Sequence, residues 1–186
     1  MTVLRGVRGI SRLKMGYRAV ACAILFSLFH PTFPSAGEGW VYSQDWFEKL
    51  YANCDLSSSD PYVLAQCIGH ATELCAARTP EGSTLAGYLS CIKKETTSWD
   101  LLWDKHKPEI FAHLDLLDRV GGRQEGNARR FYAQSQADWR THLLSHCAFE
   151  ASLQPNPNLR ENDEAYCILD GTARRVQFLL EITQIQ

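Results

Sequence analysis

The sequence lacks the patterns that mark the common enzyme classes and membrane-spanning proteins. It contains no G-x-S-x-G, no H-E-x-x-H and no phosphate-binding loop, which are signatures of hydrolases, zinc proteases and nucleotide-dependent enzymes. No uncharged apolar run reaches the roughly 20 residues that a membrane-spanning helix requires. No two cysteines have the C-x-x-C spacing of many zinc sites and redox motifs. These absences favour a binding protein over an enzyme.

Strand-like patterns are also missing. Val, Ile and Thr do not alternate with polar residues over any strand-length run, and no internal repeat or low-complexity segment occurs. Apolar residues recur instead at i, i+3 and i+4, the spacing of a helix with one buried face. The sequence therefore predicts an all-α fold, with an α+β fold as the alternative.

Acidic residues are absent from the start of the chain. The first 36 residues hold five Lys and Arg and no Asp or Glu. The remaining 150 residues carry 14 Lys and Arg against 21 Asp and Glu, a net charge of −7. An acidic body of this kind is unsuited to nucleic acid, because phosphate binding needs clustered basic residues. It suits a basic partner through long-range attraction.

The basic start leads into an uncharged run of eleven residues, AVACAILFSLF, over 19–29. Pro31 and Pro34 end the run, and the small residues Ser35, Ala36 and Gly37 follow. Basic, apolar and small-residue regions in this order are typical of a secretory signal peptide. We therefore predict a cleaved leader over residues 1–36, with Met15 as a possible start, and a single helical domain over residues 37–186.

Proline and glycine divide the helical pattern into segments. Pro108 is expected to kink or end the third segment, because proline removes a helical hydrogen bond and clashes with the preceding turn. The predicted helices cover about 43–53, 60–78, 83–120 with its interruption, 127–153, and 163 onward. Their predicted buried faces are Trp46, Phe47, Leu50 and Tyr51; Val63, Leu64, Cys67, Ile68, Ala71, Leu74 and Cys75; Tyr88, Cys91, Ile92, Glu95, Trp99, Leu102 and Trp103, continued by Ile110, Leu114 and Leu117; Phe131, Trp139, Leu143 and Cys147; and Leu169, Thr172, Val176, Leu179 and Leu180.

Cysteine is the residue type that best indicates how the bundle is held together. Cys22 lies in the leader, and the body keeps six cysteines, an even number that is typical of a disulfide framework. A chain reversal near Gly82 brings the second and third predicted helices level. The predicted bonds are Cys54–Cys67, Cys75–Cys91 and Cys147–Cys167, and the first two pairs can still exchange partners. Such bonds persist in oxidising compartments outside the cytosol.

Two groups of residues are possible ion sites. His142 and His146 are four residues apart on a predicted helix beside Cys147, a spacing that can hold a metal, although Cys147 is expected to be in a disulfide. Glu161 to Glu164 resemble an acidic calcium loop but lack its spaced oxygen ligands and central glycine. The first turn of a helix accounts better for these acids. We therefore predict no metal and no cofactor.

Three segments carry a recognisable series of residues. They are LAQCIGHATELC followed by GSTLAGYLSC and KKETTSWD, then QSQADW with Cys147 eight residues after its tryptophan, and finally CILDGTARR. Their order and spacing resemble the lysozyme inhibitor LprI family of small exported bacterial proteins, over about residues 54–180. The resemblance implies that the cysteines and five other positions are structural family positions: Trp99, Gln136, Trp139, Thr172 and Arg175.

The chain departs from the family pattern at two places. Where the family has Leu-Asn after Trp-Asp, this chain has Trp103-Asp104, which come after Leu101-Leu102. Where the family has Arg-Asp after the second tryptophan, this chain has Leu143 and Leu144. The scaffold is therefore retained, while any binding role of the missing polar residues is not carried over.

The resemblance implies a periplasmic or secreted bacterial binding protein that blocks host lysozyme by steric occlusion. The expected partner is a basic lysozyme, without nucleic acid and without stable membrane insertion once the leader is cleaved. The alternative is a general cell-envelope interaction module that binds another protein or a peptidoglycan component. No catalytic residue is predicted.

Overall fold

The computed structural model of the protein describes residues 40–52, 66–122, 124 and 126–184. These residues form helices and no strand, which confirms the all-α prediction. The predicted leader and Cys54 lie outside them. A 3-10 turn at Pro80–Ser83 connects the second helix to the third. The five α-helices are α1 (Gln44–Tyr51), α2 (His70–Arg78), α3 (Leu85–Val120), α4 (Asn127–Ser152) and α5 (Arg160–Gln184).

Helix α3 organises the fold, since it contacts each of the other four helices. Its 36 residues correspond to a length of about 54 Å. Thr84 caps it, with the Thr84 hydroxyl accepting the Gly87 N–H at 3.0 Å. Pro108 was predicted to kink or end this helix, and the structure shows that the helix does not end there but continues to Val120. Ile110 lies just beyond the proline and is fully buried, and its packing offsets the lost hydrogen bond.

The second predicted helix is interrupted at Gly69, and its predicted start at residue 60 lies outside the described residues. A single helix was expected over 60–78, but Gly69 has a φ of +86° and separates α2 from the short helical segment at residues 66–67. Gly69 can adopt this left-handed conformation without steric cost because it has no Cβ. The carboxylate of Glu95 on α3 accepts the N–H groups of Gly69 at 2.9 Å and Thr72 at 2.6 Å. A side chain from another helix thus caps α2.

Helix α4 confirms most of its predicted buried face but corrects one residue. Leu143, Cys147 and Ala151 are buried at four-residue intervals, and Trp139 is half-buried. Phe131 was predicted to face inward, yet it is 63% exposed. The reason is helical geometry: twelve residues at 3.6 residues per turn place Phe131 about 120° around the helix from Leu143.

Helix α5 starts at Arg160, three residues before the predicted start. Residues 161–164 therefore lie in its first turns and do not form a loop. Leu169, Ala173, Val176 and Leu179 face the core. None of the helices in the described part of the chain combines the length and the apolar character needed to cross a membrane.

Two disulfides join the helices as predicted. Cys75 on α2 bonds Cys91 on α3, with 5.8 Å between their Cα atoms. Cys147 on α4 bonds Cys167 on α5, with 5.5 Å between their Cα atoms. Cys67 is also disulfide-bonded, but its predicted partner, Cys54, lies outside the described residues. The bonds therefore link α2 to α3 and α4 to α5.

Three tyrosines predict a loss of stability at alkaline pH. Burial raises the pKa of Tyr42, Tyr51 and Tyr88 above the ordinary value, and the negative charge of Glu95 adds to the rise at Tyr51. Above about pH 10 the unfolded chain loses these phenolic protons while the folded chain keeps them. The free energy of unfolding is therefore expected to be insensitive to these groups below pH 10 and to fall above it.

Urea unfolding between pH 8 and 11 would measure this fall, and absorbance at 295 nm would follow tyrosinate in the native protein. The Tyr51→Phe variant serves as the control, because it lacks one of the shifted groups and should show a shallower pH dependence. Native tyrosines that all ionise near pH 10 would contradict the prediction.

Candidate functional site

Four of the five predicted family positions lie together where α4 and α5 run antiparallel. Gln136 and Trp139 project from α4, and Thr172 and Arg175 project from α5. The Arg175 guanidinium donates to the Ser135 hydroxyl at 2.9 Å and to the Gln136 side-chain oxygen at 3.3 Å. It also lies over the Trp139 ring, 5.7 Å from the ring centroid, within the range of a cation–π contact.

Arg140 extends this cluster toward α3. Its guanidinium lies 5.9 Å from the Trp139 ring centroid and donates to the Thr172 hydroxyl at 3.4 Å. It also lies 3.7 Å from the Asp100 carboxylate on α3. Trp139 therefore has two guanidinium groups close to it. Burial lowers the pKa of Arg175 from its ordinary value, which reflects how far α4 and α5 enclose this group.

Trp99, the fifth predicted position, lies apart from the other four in the core between α1 and α3. It is fully buried and packs edge-on against Phe47 and Tyr51, with ring centroids 5.4 and 4.5 Å away. Its indole N–H points to Glu95 at 3.4 Å. Trp99 is thus a core residue that supports the α1–α3 contact.

A groove of about 480 Å³ opens beside the cluster, between α3 and α4. This volume falls in the range of small-ligand sites, about 300–1,000 Å³. Both walls carry aromatic and polar side chains. The groove is lined by Asp100, Trp103 and Asp104 from α3 and by Gln136, Ala137, Trp139 and Arg140 from α4.

The polar groups of the groove differ in how well they are satisfied. Asp104 accepts a hydrogen bond from Lys107 at 2.6 Å, whereas Asp100 has only the distant Arg140 contact within the described part of the chain. Burial raises the pKa of Asp100, and Arg140 partly opposes the rise. The Gln136 side-chain nitrogen is buried and has no hydrogen-bond partner among the described residues.

Trp103 and Asp104 form one of the two places where the sequence differs from the pattern that it was predicted to resemble, and both line this groove. The Trp103 indole donates to the Tyr132 hydroxyl at 2.7 Å, which fixes the ring against α4. Lys107 covers one face of the ring at 4.6 Å from its centroid. The sequence placed Trp103 on a helical stripe but gave no sign that Asp100 and Arg140 would face it, because they meet only across two helices.

The sequence also differs from the predicted pattern at Leu143 and Leu144. Packing explains why residue 143 is a leucine. Leu143 is buried against Gly171 on α5. A Cβ atom at residue 171 would overlap the Leu143 side chain, so the glycine makes room for it. Leu144 is 43% exposed, and nothing in the structure explains why it is apolar.

The predicted histidine group does not form as a three-ligand set. The rings of His142 and His146 stack with centroids 5.9 Å apart, and Cys147 is in a disulfide. A different trio, His146, Glu150 and Cys167, has potential ligand atoms within 4.8 Å of one another. Its sulfur belongs to the same disulfide, and a metal requires a thiolate.

A second cavity, of about 510 Å³, lies between the residues preceding α1 and the outer face of α3. Lys93 and Lys94 lie on its wall, and Leu89 and Leu101 form an apolar part. The Gln44 side-chain oxygen is buried there without a hydrogen-bond partner among the described residues. This cavity contains none of the predicted family positions.

Comparison with known proteins adds no relative: no family model, curated protein or solved structure matches the chain.

Proposed function

We propose that this chain is an exported binding protein of the lysozyme inhibitor LprI type, without catalytic activity. One observation carries the proposal: Gln136, Trp139, Thr172 and Arg175, which the resemblance identifies in separate segments, form one contact cluster. Trp139 lies eight residues before Cys147 and Arg175 eight residues after Cys167, so the disulfide between these cysteines sets the helix register that brings the cluster together. The cluster also borders an exposed surface at Phe178, which lies next to Arg175.

Export is supported by the disulfides and the basic, apolar start of the chain. Bonds such as Cys75–Cys91 and Cys147–Cys167 persist in the periplasm or outside the cell and are rare in the cytosol. The leader over residues 1–36 would direct the protein there. We therefore propose a periplasmic or secreted location.

Inhibition would be steric, with a rigid acidic protein covering the cleft of a basic lysozyme. The net charge of −7 over residues 37–186 would speed association with a basic partner at low salt. The net charge would act through long-range attraction, whereas we propose that the contact itself lies at the exposed aromatic edge of the cluster, where the Phe178 ring centroid is 5.4 Å from Arg175. Phe178 is 50% exposed, and aromatic and arginine side chains supply much of the energy of protein interfaces.

Lysozyme turnover with excess purified mature protein tests this proposal, with several lysozyme classes at low and at physiological salt. Phe178→Ala is expected to weaken inhibition at least tenfold. Phe149→Ala is the matched control, because Phe149 is 61% exposed near the opposite end of α4, and it should leave inhibition unchanged. Unchanged turnover with the wild-type protein at both salt concentrations would overturn the proposal.

The groove between α3 and α4 favours a second candidate function, a cell-envelope module that binds a peptidoglycan component. Its two tryptophans and partly satisfied polar groups are typical of a small-ligand site and are not needed to cover an enzyme cleft. Cosedimentation with purified insoluble peptidoglycan, in the absence of lysozyme, separates this function from the first. Protein that stays in solution under these conditions would count against it.

A further inference from the structure

The cavity between the residues that precede α1 and the outer face of α3 is positively charged, although the protein is acidic. Lys93 and Lys94 lie on its wall, and none of the described residues that line it is Asp or Glu. Residues 37–186 as a whole carry a net charge of −7. The charge of this cavity is therefore opposite to that of the domain, and it favours an anion.

The two lysines are available to such an anion. Lys93 lies 3.1 Å from the Glu161 carboxylate, but the two side chains are 61% and 70% exposed, so water screens this ion pair and its contribution to stability is small. Lys94 is exposed and has no ion-pair partner among the described residues. An anion can therefore approach both ammonium groups without breaking a buried contact.

A trough of small side chains on α3 runs between the two lysines. At 3.6 residues per turn, Lys93 and Lys94 lie about 100° apart around the helix, and Ser90 and Thr97 fall between them. All four residues line the cavity, as does Leu101 near one end of it. The helix rises about 10 Å from Lys94 to Leu101, a distance that an aliphatic chain of medium length spans.

The opposite wall is held in place without any ligand. The Tyr42 hydroxyl donates to the Ser98 hydroxyl at 3.2 Å, and the Gln44 side-chain nitrogen donates to the Ser98 carbonyl at 3.2 Å. These bonds fix the segment before α1 against α3. The cavity has a volume of about 510 Å³, within the range of about 300–1,000 Å³ that is typical of small-molecule sites.

We propose that this cavity binds a small amphiphilic anion, a single aliphatic chain that ends in a carboxylate, sulfate or phosphate. The chain packs between Tyr42 and Leu101, and the charged end lies between the ammonium groups of Lys93 and Lys94. A lysine ammonium is a compact point charge without the planar fork of arginine, so the site selects negative charge and an apolar chain together. None of these residues belongs to the cluster around Arg175, so this inference goes beyond the two functions proposed above.

The test is calorimetric titration of the purified, oxidised mature protein with decanoate. Decyltrimethylammonium has the same chain with the opposite charge, and butyrate has the same head group with a shorter chain. We expect decanoate to bind at least tenfold more tightly than either, because the site needs both the charge and the buried apolar surface. Failure of decanoate to bind at millimolar concentration, or equal binding of the cation, would overturn the proposal.

Two further ligands separate a free fatty acid from a phospholipid as the source of the anion. Monomeric lysophosphatidylglycerol carries the same combination of one chain and one negative charge, and the tighter of it and decanoate identifies the source. Vesicles of phosphatidylglycerol present negative charge without a free chain. Protein that sediments with these vesicles while neither monomeric ligand binds would contradict a cavity site.

Two sets of variants locate the site. Lys93→Gln combined with Lys94→Gln is expected to weaken decanoate binding at least tenfold, while Lys107→Gln, on the same helix outside the cavity, should leave it unaltered. Ser90→Trp at an exposed position fills the trough and should abolish binding in a protein whose circular dichroism is unchanged. Ser145→Trp, at an exposed position on α4, is its matched control. Decanoate binding that survives Ser90→Trp would show that the ligand lies elsewhere and overturn the assignment.

Discussion

Replacing Glu95 with Gln is expected to lower the free energy of unfolding by about 3 kcal/mol. Glu95 is fully buried, and its partners are N–H and O–H groups. The Tyr51 hydroxyl also lies 2.5 Å from a second acceptor, the Cys67 carbonyl. The partners of the Glu95 carboxylate are the Tyr51 hydroxyl at 2.5 Å, the backbone N–H groups of Gly69 and Thr72 at 2.9 and 2.6 Å, the Thr72 hydroxyl at 2.7 Å and the Trp99 indole at 3.4 Å.

The physical reason is that an amide would place its own N–H donors against these donors. It would also remove the negative charge at the N-terminus of α2, where the helix dipole favours an anion. Gly69 itself has no side chain to cap that helix. The loss should therefore affect α1, α2 and α3 together, since Glu95 joins residues from all three.

Urea unfolding of the oxidised protein measures this effect through the midpoint at an unchanged slope. The matched control is Glu109→Gln, an exposed position on the same helix, which should change stability by less than about 0.5 kcal/mol. If both variants unfold at the same urea concentration, Glu95 does not hold the three helices together.

Removing the Cys147–Cys167 disulfide by double substitution with Ser is expected to lower the free energy of unfolding by about 3 kcal/mol, because the bond restricts the unfolded chain. The loop that it closes has a sequence separation of 20 residues. The same loss of about 3 kcal/mol is expected for the Cys75–Cys91 bond, whose separation is 16 residues.

Reduction provides the internal control for this prediction. A thiol reductant should destabilise the wild type more than it destabilises the Cys147→Ser, Cys167→Ser variant, and the difference should equal the effect of the double substitution. A wild-type protein that melts at the same temperature with and without reductant would contradict the prediction for both bonds.

Much of the helical framework could be predicted because it depends on local spacing. The buried faces of α3 and α5 follow from apolar residues three and four apart, and Ile92, Trp99, Leu169 and Val176 are buried as expected. Leu117 was also predicted on this pattern, but it lies in the last turn of α3 and is 39% exposed. Glycine and proline also mark chain reversals locally, so the hairpin that brings Cys75 to Cys91 could be inferred from Gly82.

The errors arise where a distant contact outweighs a local preference. Pro108 opposes a helix, but burial of Ile110 and the packing of α3 against other helices maintain it. The residues around Gly69 looked like an uninterrupted helix, but the Glu95 carboxylate fixes a new helix start there. Phe131 was predicted on the buried face of α4, but the helical rotation between Phe131 and Leu143 places its side chain on the exposed side of the helix.

For the candidate site, the sequence indicated which residues matter and not which ones meet. Gln136, Trp139, Thr172 and Arg175 were identified from separate segments, and their contact depends on the antiparallel packing of α4 on α5. Asp100 and Arg140 carried no signal of their own. Only the structure brings them together, with the Arg140 guanidinium on α4 lying 3.7 Å from the Asp100 carboxylate on α3.

The sequence by itself determined the class of fold, the positions of most helices and the Cys147–Cys167 bond, because helical period and chain reversal are local properties. It left the partner of Cys75 open, and the structure pairs Cys75 with Cys91. Only the tertiary structure decided that Glu95 caps a neighbouring helix and that Trp103, Asp100 and Gln136 share one groove. The physical reason is that these features depend on the rotation and offset of one helix against another. Those quantities are set by side-chain packing across the whole bundle.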